Sequence, residues 1–217
     1  MKTAIIIGAT GLVGSHLLDL LLGDDHFNQV SIFTRNPTGK RDPKLIENII
    51  DFDKPEEWES LVKGDVLFSA LGTTIKKAGS QELQYKIDFT YQFRIAEIAA
   101  RNQVQSLVLV SSAGANSESK IFYSRMKGEL EEAVKKLPFA HIEILQPGIL
   151  DGSRKESRPM EKISISIARG LKFIPGLKQY RPVHAGIVAK AMINAALSGK
   201  SGIKTSTLEG VFTLASI

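Results

Sequence analysis

Cysteine is missing from this chain of 217 residues, and so is any long hydrophobic run. A chain without thiols forms no disulfide and no thiolate metal site, so we expect a protein of the reducing cytoplasm that holds no metal. No stretch approaches the roughly 18 apolar residues that a membrane-spanning helix needs. The apolar run before Gly8 is also too short for the core of a signal peptide. The sequence therefore predicts a soluble protein without a membrane partner.

A basic stripe interleaved with aromatic residues is missing as well, although the net charge is +5. The basic residues are dispersed, as in the pairs Lys76-Lys77 and Lys135-Lys136, which is typical of a solvated surface and not of a nucleic-acid interface. Hydrophobic residues make up 43% of the chain and charged residues 24%, as in globular proteins. Because the chain has no repeat, low-complexity segment or linker, we expect one domain over residues 1–217.

Apolar, β-branched runs alternate with helix-like stretches such as "LVGSHLLDLLL" and "YQFRIAEIAARN". The predicted strands are Ala4–Ile7, Val30–Thr34, Glu47–Ile50, Val66–Ala70, Leu107–Val110 and Ile142–Leu145. Short apolar strands separated by helices are typical of a parallel sheet that is covered on both faces. The predicted fold class is therefore α/β, a doubly wound parallel sheet of Rossmann type. Glycine and proline interrupt the last third, so we expect a small irregular substrate region at about residues 150–182 and the C-terminus.

Three glycines, Gly8, Gly11 and Gly14, follow the first predicted strand in "IIIGATGLVGSHL" and open a helix. In dinucleotide-binding turns the first glycine permits the tight turn, the second lets a pyrophosphate approach, and the third lets helix and strand pack closely. The helix N-terminus attracts the anion. The alternative is a strand-to-helix turn with no ligand. The predicted cofactor contacts of this turn are Gly8, Thr10, Gly11, Leu12, Val13 and Gly14.

The end of the second predicted strand carries Arg35 where a carboxylate would bind the ribose 2′-hydroxyl of NAD. An arginine can bind a 2′-phosphate with two hydrogen bonds, so the sequence favours NADP(H) over NAD(H). Asn36, Lys40 and Arg41 either add to this phosphate pocket or are ordinary loop residues. Further cofactor contacts are predicted from position alone: Asp51 and Phe52 beside the adenine, and Ala70, Leu71, Gly72 and Thr73 after the fourth strand.

Ser111 and Ser112 end the fifth predicted strand, and the next helix-like stretch, "FYSRMKGELEEA", contains Tyr123 and Lys127. Residues four apart share one face of a helix, so the phenol and the ammonium can point into the same space. A nearby cation favours the phenolate of a tyrosine, which otherwise has a pKa near 10. Such a phenol can donate a proton to a carbonyl oxygen that a serine hydroxyl polarises. The alternative is a half-buried tyrosine beside a surface lysine.

The motifs "GATGLVG", "LGTT", "VSSAGA", "YSRMKGELE" and "ILQPGIL" together resemble those of the short-chain dehydrogenase/reductase superfamily. More narrowly, they resemble an atypical NAD(P)-binding branch related to the Tat-interacting oxidoreductase, over residues 3 to about 192. The resemblance implies that Tyr123 is the acid/base, that Lys127 binds the nicotinamide ribose, and that Ser112 positions the carbonyl. Ser111 is the fallback for that serine. It also implies that Pro147, Gly148 and Ile149 line the nicotinamide end of the cofactor site.

One departure from the family concerns the helix after "LGTT", where relatives often carry an asparagine at a proton relay. Here that stretch is "YKIDFTYQ", with Asp88, and the sequence leaves open whether Asp88 supports the relay. In the last third, His184 is expected to have a structural role. Arg181 either meets an acidic substrate or closes the cleft.

Two functions are compatible with these motifs. The first is an NADP(H)-dependent oxidoreductase that reduces a small carbonyl or oxidises the matching alcohol through Ser112, Tyr123 and Lys127. The second is a non-catalytic protein that senses NADPH and regulates a partner. We expect a monomer or a homodimer.

Overall fold

The computed structural model describes residues 1–151 and 182–217 and contains a parallel sheet of seven strands. The spatial order is β3-β2-β1-β4-β5-β6-β9, and every neighbouring pair is parallel. The strands are β1 (Lys2–Ile7), β2 (Phe27–Thr34), β3 (Leu45–Ile49), β4 (Val66–Ser69), β5 (Ser106–Val110), β6 (His141–Gln146) and β9 (Gly202–Thr207). The two remaining short strands, β7 (Leu150–Asp151) and β8 (Val183–His184), form a separate parallel pair.

Helices cover both faces of the sheet. They are α1 (Leu12–Leu22), α2 (Ile75–Ala78), α3 (Gln81–Tyr85), α4 (Gln92–Arg101), α5 (Phe122–Val134), α6 (Ala185–Leu197) and α7 (Glu209–Ala215). A π-helical turn, Lys86–Tyr91, joins α3 to α4, and two 3₁₀ turns, Pro55–Glu57 and Glu59–Leu61, precede β4. In the described part of the chain, no helix is both long and apolar enough to cross a bilayer.

The central strand β1 has buried side chains on both faces of the sheet. Ala4 and Ile6 pack into a core with α1, α6 and α7, whereas Ile5 and Ile7 pack into a second core with α4 and α5. All four side chains are fully buried. A strand that is buried on both faces needs a continuous apolar sequence instead of an alternating one.

The predicted α/β fold is confirmed, and each of the six predicted strands lies within or overlaps an observed one. The sequence missed β9 because five of its six residues are exposed and "GIKTST" has no apolar run. The predicted substrate region at about 150–182 lies almost wholly outside the described residues, as does Arg181.

The strand order creates the place where a ligand can enter. The chain runs outward from β1 to β2 and β3, then crosses back to β4 on the other side of β1. The connections that leave the carboxyl ends of β1 and β4 therefore diverge, and a crevice opens between them.

Candidate functional site

The glycine turn after β1 packs directly against the backbone that follows β4. Gly8 has φ +81°, and a Cβ there would lie 2.5 Å from the carbonyl carbon and oxygen of Ala70. A Cβ at Gly14 would lie 2.0 Å from the carbonyl oxygen of Gly8. Gly11 precedes α1, and its N–H donates to the Gly8 carbonyl at 2.9 Å. The turn thus brings the N-terminus of α1 to the carboxyl edge of the sheet.

A cleft of about 1100 Å³ opens at this edge. Most of the predicted cofactor and catalytic residues line it: Thr10, Gly11, Leu12, Val13, Ala70, Leu71, Gly72, Thr73, Ser111, Ser112, Tyr123, Lys127, Pro147, Gly148 and Ile149. They come from the turns or helices that follow β1, β4, β5 and β6, so the sheet topology brings distant sequence segments together. Gly8 and Gly14 lie behind the lining, in the packing of the turn.

The residues predicted to bind the adenosine part of the cofactor do not line this cleft. Arg35 and Asn36 are exposed directly after β2, and Asp51 is exposed after β3. The Phe52 ring, in contrast, is buried in the core. It stacks on Tyr91 with 5.1 Å between ring centroids and meets Trp58 edge-on at 6.2 Å. The Phe52 side chain therefore packs in the core, and an adenine contact at this position would be made by other atoms of the residue.

Tyr123 and Lys127 lie one helical turn apart near the start of α5, and both line the cleft. Tyr123 is 41% exposed and is not part of the core, whereas Lys127 is only 3% exposed. The exposed phenol can reach a molecule in the cleft. The buried ammonium requires a counter-charge, because an isolated charge is costly to bury.

Asp88 supplies that counter-charge from the π-helical turn. Its Oδ2 lies 3.7 Å from Lys127 Nζ, and its Oδ1 accepts a hydrogen bond from the Thr73 N–H at 2.7 Å. Asp88 is 1% exposed. Burial raises the pKa of Asp88 above its ordinary value, although the Lys127 charge and the Thr73 hydrogen bond oppose that rise.

The two neighbouring serines have different surroundings. The buried Ser111 hydroxyl donates a short hydrogen bond to the buried carboxylate of Glu131, which also accepts from the Gln146 amide at 2.9 and 3.0 Å. Ser112 is half-buried, lines the cleft, and donates a long hydrogen bond of 3.3 Å to the Ala113 carbonyl. Ser111 is thus held by the protein, whereas Ser112 can turn to a ligand.

His184 has a structural contact. Its Nδ1 accepts a hydrogen bond from the Gly186 N–H at 3.1 Å and so caps α6, and its ring centroid lies 5.3 Å from that of His16. Among the described residues, no cluster of three or more potential ligand side chains could hold a metal ion.

Sequence reasoning missed several residues at the cleft. Glu131 anchors Ser111 from behind the lining and is itself held by Gln146; no local pattern shows this because the contact between Glu131 and Gln146 joins α5 to the end of β6. The lining residues that were not predicted are Ser15, Thr74, Ile75, Lys76, Lys77, Gln84, Val110 and Leu150. The pair Lys76-Lys77 was interpreted as ordinary surface, yet the loop after β4 brings it to the cleft.

A family model and several fungal relatives match this chain. A family model described as NAD(P)H-binding matches residues 8–151. Protein fmp52-1, mitochondrial, of Aspergillus terreus is 37% identical, over 99% of this chain and 95% of the relative. Protein FMP52, mitochondrial, of Candida albicans is 36% identical, over 92% of this chain and 90% of the relative.

Solved structures share the fold at low sequence identity. A structure of MoeE5 in complex with UDP-glucose and NAD superposes with a TM-score of 0.70 at 16% identity, covering 99% of this chain and 81% of that chain. The UDP-Glc/GlcNAc 4-epimerase from Campylobacter jejuni superposes with a TM-score of 0.71 at 14% identity, covering 100% and 84%. At these identities the likeness supports the fold only.

The relatives correct one prediction. We expected a cytoplasmic protein, but the fungal relatives are named mitochondrial proteins. The expectation was wrong because it rested on the lack of cysteine. A chain without cysteine forms no disulfide in any compartment, so the lack of cysteine does not identify the compartment.

Proposed function

The chain belongs to the NAD(P)H-binding family, and on that premise we propose that it is an NADP(H)-dependent oxidoreductase of short-chain dehydrogenase/reductase type. Its substrate is a small carbonyl compound, or the matching alcohol in reverse. One observation carries the proposal: Ser112, Tyr123 and Lys127 line the same cleft as the glycine-rich turn. The narrower relationship to the Tat-interacting oxidoreductase branch is part of the proposal and rests on the sequence motifs alone.

The residues divide the reaction as follows. Tyr123 donates its phenolic proton to the carbonyl oxygen, while Ser112 donates a hydrogen bond to the same oxygen. The Lys127 ammonium stabilises the phenolate that remains. The hydride that reaches the carbonyl carbon is the chemistry that a bound nicotinamide supplies. The product is the alcohol, and solvent returns a proton to Tyr123.

The cofactor fits the residues at the edge of the sheet. The N-terminal turn of α1 carries no acidic residue, and Gly11, which precedes it, presents only backbone to the cleft. An anion is therefore attracted to this helix end and meets no side chain at Gly11. Arg35, exposed after β2, is the residue that we assign to the 2′-phosphate of NADP.

Calorimetry with NADPH and NADH tests the cofactor preference. We expect tighter binding of NADPH, and we expect Arg35→Ala to weaken NADPH binding by about 10- to 100-fold, since a hydrogen bond to a charged group contributes about 1.5–3 kcal/mol. Arg101→Ala is the matched control, because Arg101 pairs with Glu59 on the surface. Equal affinities of the wild type for the two cofactors would refute the role of Arg35.

Turnover distinguishes the enzyme from the NADPH sensor. NADPH oxidation is followed at 340 nm with a panel of small aldehydes and ketones, and the enzyme is expected to oxidise NADPH with at least one compound class. Cofactor binding in the micromolar range with no oxidation across the panel would favour the sensor.

A further inference from the structure

The buried carboxylate of Asp88 is the feature that the proposed reaction does not use. It lies between the loop that follows β4 and the start of α5, and it contacts both. Its Oδ1 accepts from the Thr73 N–H at 2.7 Å, and its Oδ2 lies 3.7 Å from Lys127 Nζ. One side chain thus bridges a loop of the cofactor cleft and the lysine of the candidate active site.

The local backbone is built to place this carboxylate. Asp88 belongs to the π-helical turn Lys86–Tyr91, which interrupts the helical path from α3 to α4. Such π-turns are rare, and they are frequent at functional sites. Below the turn, the Gln92 amide donates to the Asp88 carbonyl at 2.6 Å and accepts from the Ser69 hydroxyl at 2.6 Å. The turn is therefore tied to the end of β4 by buried hydrogen bonds.

The groups around the carboxylate come from three elements. Lys127 faces it from α5, Thr73 from the loop after β4, and Gln84 from α3. Of these three, only Lys127 is charged. Burying either charge without a partner would be costly, so the Asp88 carboxylate and the Lys127 ammonium each need the other.

We propose that Asp88 is a positioning residue: its carboxylate holds the Lys127 ammonium against the loop 70–74, so that lysine and cofactor loop move as one unit. This inference rests on the proposed function, since it assigns Lys127 a place beside a cofactor.

The Thr73 amide reports this link without any substrate. Because its N–H donates to Asp88, its ¹H and ¹⁵N chemical shifts should follow the protonation of the carboxylate. In the wild type we expect one titration, with its midpoint above the ordinary range of aspartate. In Lys127→Met the midpoint should rise by a further one to three pH units or so, because an opposite charge at this distance lowers a carboxyl pKa by about that much.

Matched variants show whether the effect on the Thr73 titration is specific to Lys127 and Asp88 or follows from any loss of charge nearby. Lys86→Met removes a cation from the same π-turn, but Lys86 pairs with the exposed Asp53 at 2.8 Å, so the Thr73 titration should not move. Asp88→Asn should abolish the pH dependence of the Thr73 shifts and lower kcat at least tenfold, whereas Asp53→Asn should do neither. If Lys127→Met does not fold, Lys127→Gln takes its place, and the same rise of the Thr73 midpoint is expected.

The outcomes separate this inference from the proposed function. If the wild type oxidises NADPH with a carbonyl but the Thr73 titration ignores the loss of Lys127, the positioning role of Asp88 is overturned. If no carbonyl is reduced but Lys127→Met moves the titration, the reductase function fails while the link between Asp88 and Lys127 stands. A Thr73 titration that persists unchanged in Asp88→Asn also overturns the inference, because the amide would then report another group.

Discussion

Ser111 and Ser112 are adjacent in sequence, yet the structure predicts opposite effects when each is replaced by alanine. Ser111→Ala removes a buried hydrogen bond to the carboxylate of Glu131, in a pair whose members are 6% and 5% exposed. A hydrogen bond to a charged group contributes about 1.5–3 kcal/mol. The variant should therefore lose about that much free energy of unfolding and keep most of its activity.

Ser112→Ala should do the reverse. Its hydroxyl is half-buried, and its bond to the Ala113 carbonyl is long at 3.3 Å, so the loss in stability should stay below about 1 kcal/mol. If this hydroxyl polarises the carbonyl oxygen of the substrate, its removal should lower kcat by about 10²–10³, the typical effect of a lost oxyanion donor.

Two assays measure these opposite effects on stability and on turnover. Urea unfolding at neutral pH gives the change in free energy, and with a slope of about 2–3 kcal/mol per molar the midpoint of Ser111→Ala should fall by about 0.5–1.5 M. Steady-state NADPH oxidation gives kcat for both variants. A Ser111→Ala variant that keeps its stability and loses turnover would show that the two serines have been assigned the wrong way round.

Two further variants test the fold around the site. Gly8→Ala should cost about 2–5 kcal/mol, because it adds a clash at 2.5 Å to the strain of φ +81°. Gly39→Ala has φ +74° and open space, so thermal unfolding should show the smaller cost of strain alone, and equal losses would contradict the clash. Burial raises the pKa of Glu143, but the interactions with His141 and Ser206 outweigh burial and lower it below the ordinary value of 4.5. The folded state thus binds fewer protons, and this stabilisation is present above about pH 4.5 and lost as the pH falls. Glu143→Gln should therefore lower the free energy of unfolding at pH 7, and the difference from the wild type should shrink in acid; a gap that is independent of pH would refute this.

The fold was predictable wherever burial dictates an apolar run. Strands such as β1 and β4 are buried on both faces and therefore stand out in the sequence. Among residues 1–151 and 182–217, strand β9 pairs with β6 alone, at the edge of the sheet, so five of its six residues are exposed and its sequence has no apolar run. Phe52 shows the limit of an argument from position: its place after β3 predicts a ligand contact, and sequence position does not show that its ring packs in the core against Tyr91 and Trp58.

The candidate site was predictable where its residues lie close in sequence. Tyr123 and Lys127 share one helix face by spacing alone, and the glycine turn follows its strand directly. The partners of these residues were not predictable, because Asp88 meets Lys127 across 39 positions and through a π-helical turn that no local pattern announces.

The most direct measurement is NADPH binding and NADPH-dependent carbonyl reduction by Tyr123→Phe, with Tyr85→Phe as the control for the loss of a phenol elsewhere. We predict NADPH affinity within about threefold of the wild type, a kcat lower by the 10²–10⁴ or so that a lost general acid costs, and an unaffected control. Full turnover by Tyr123→Phe would contradict the account.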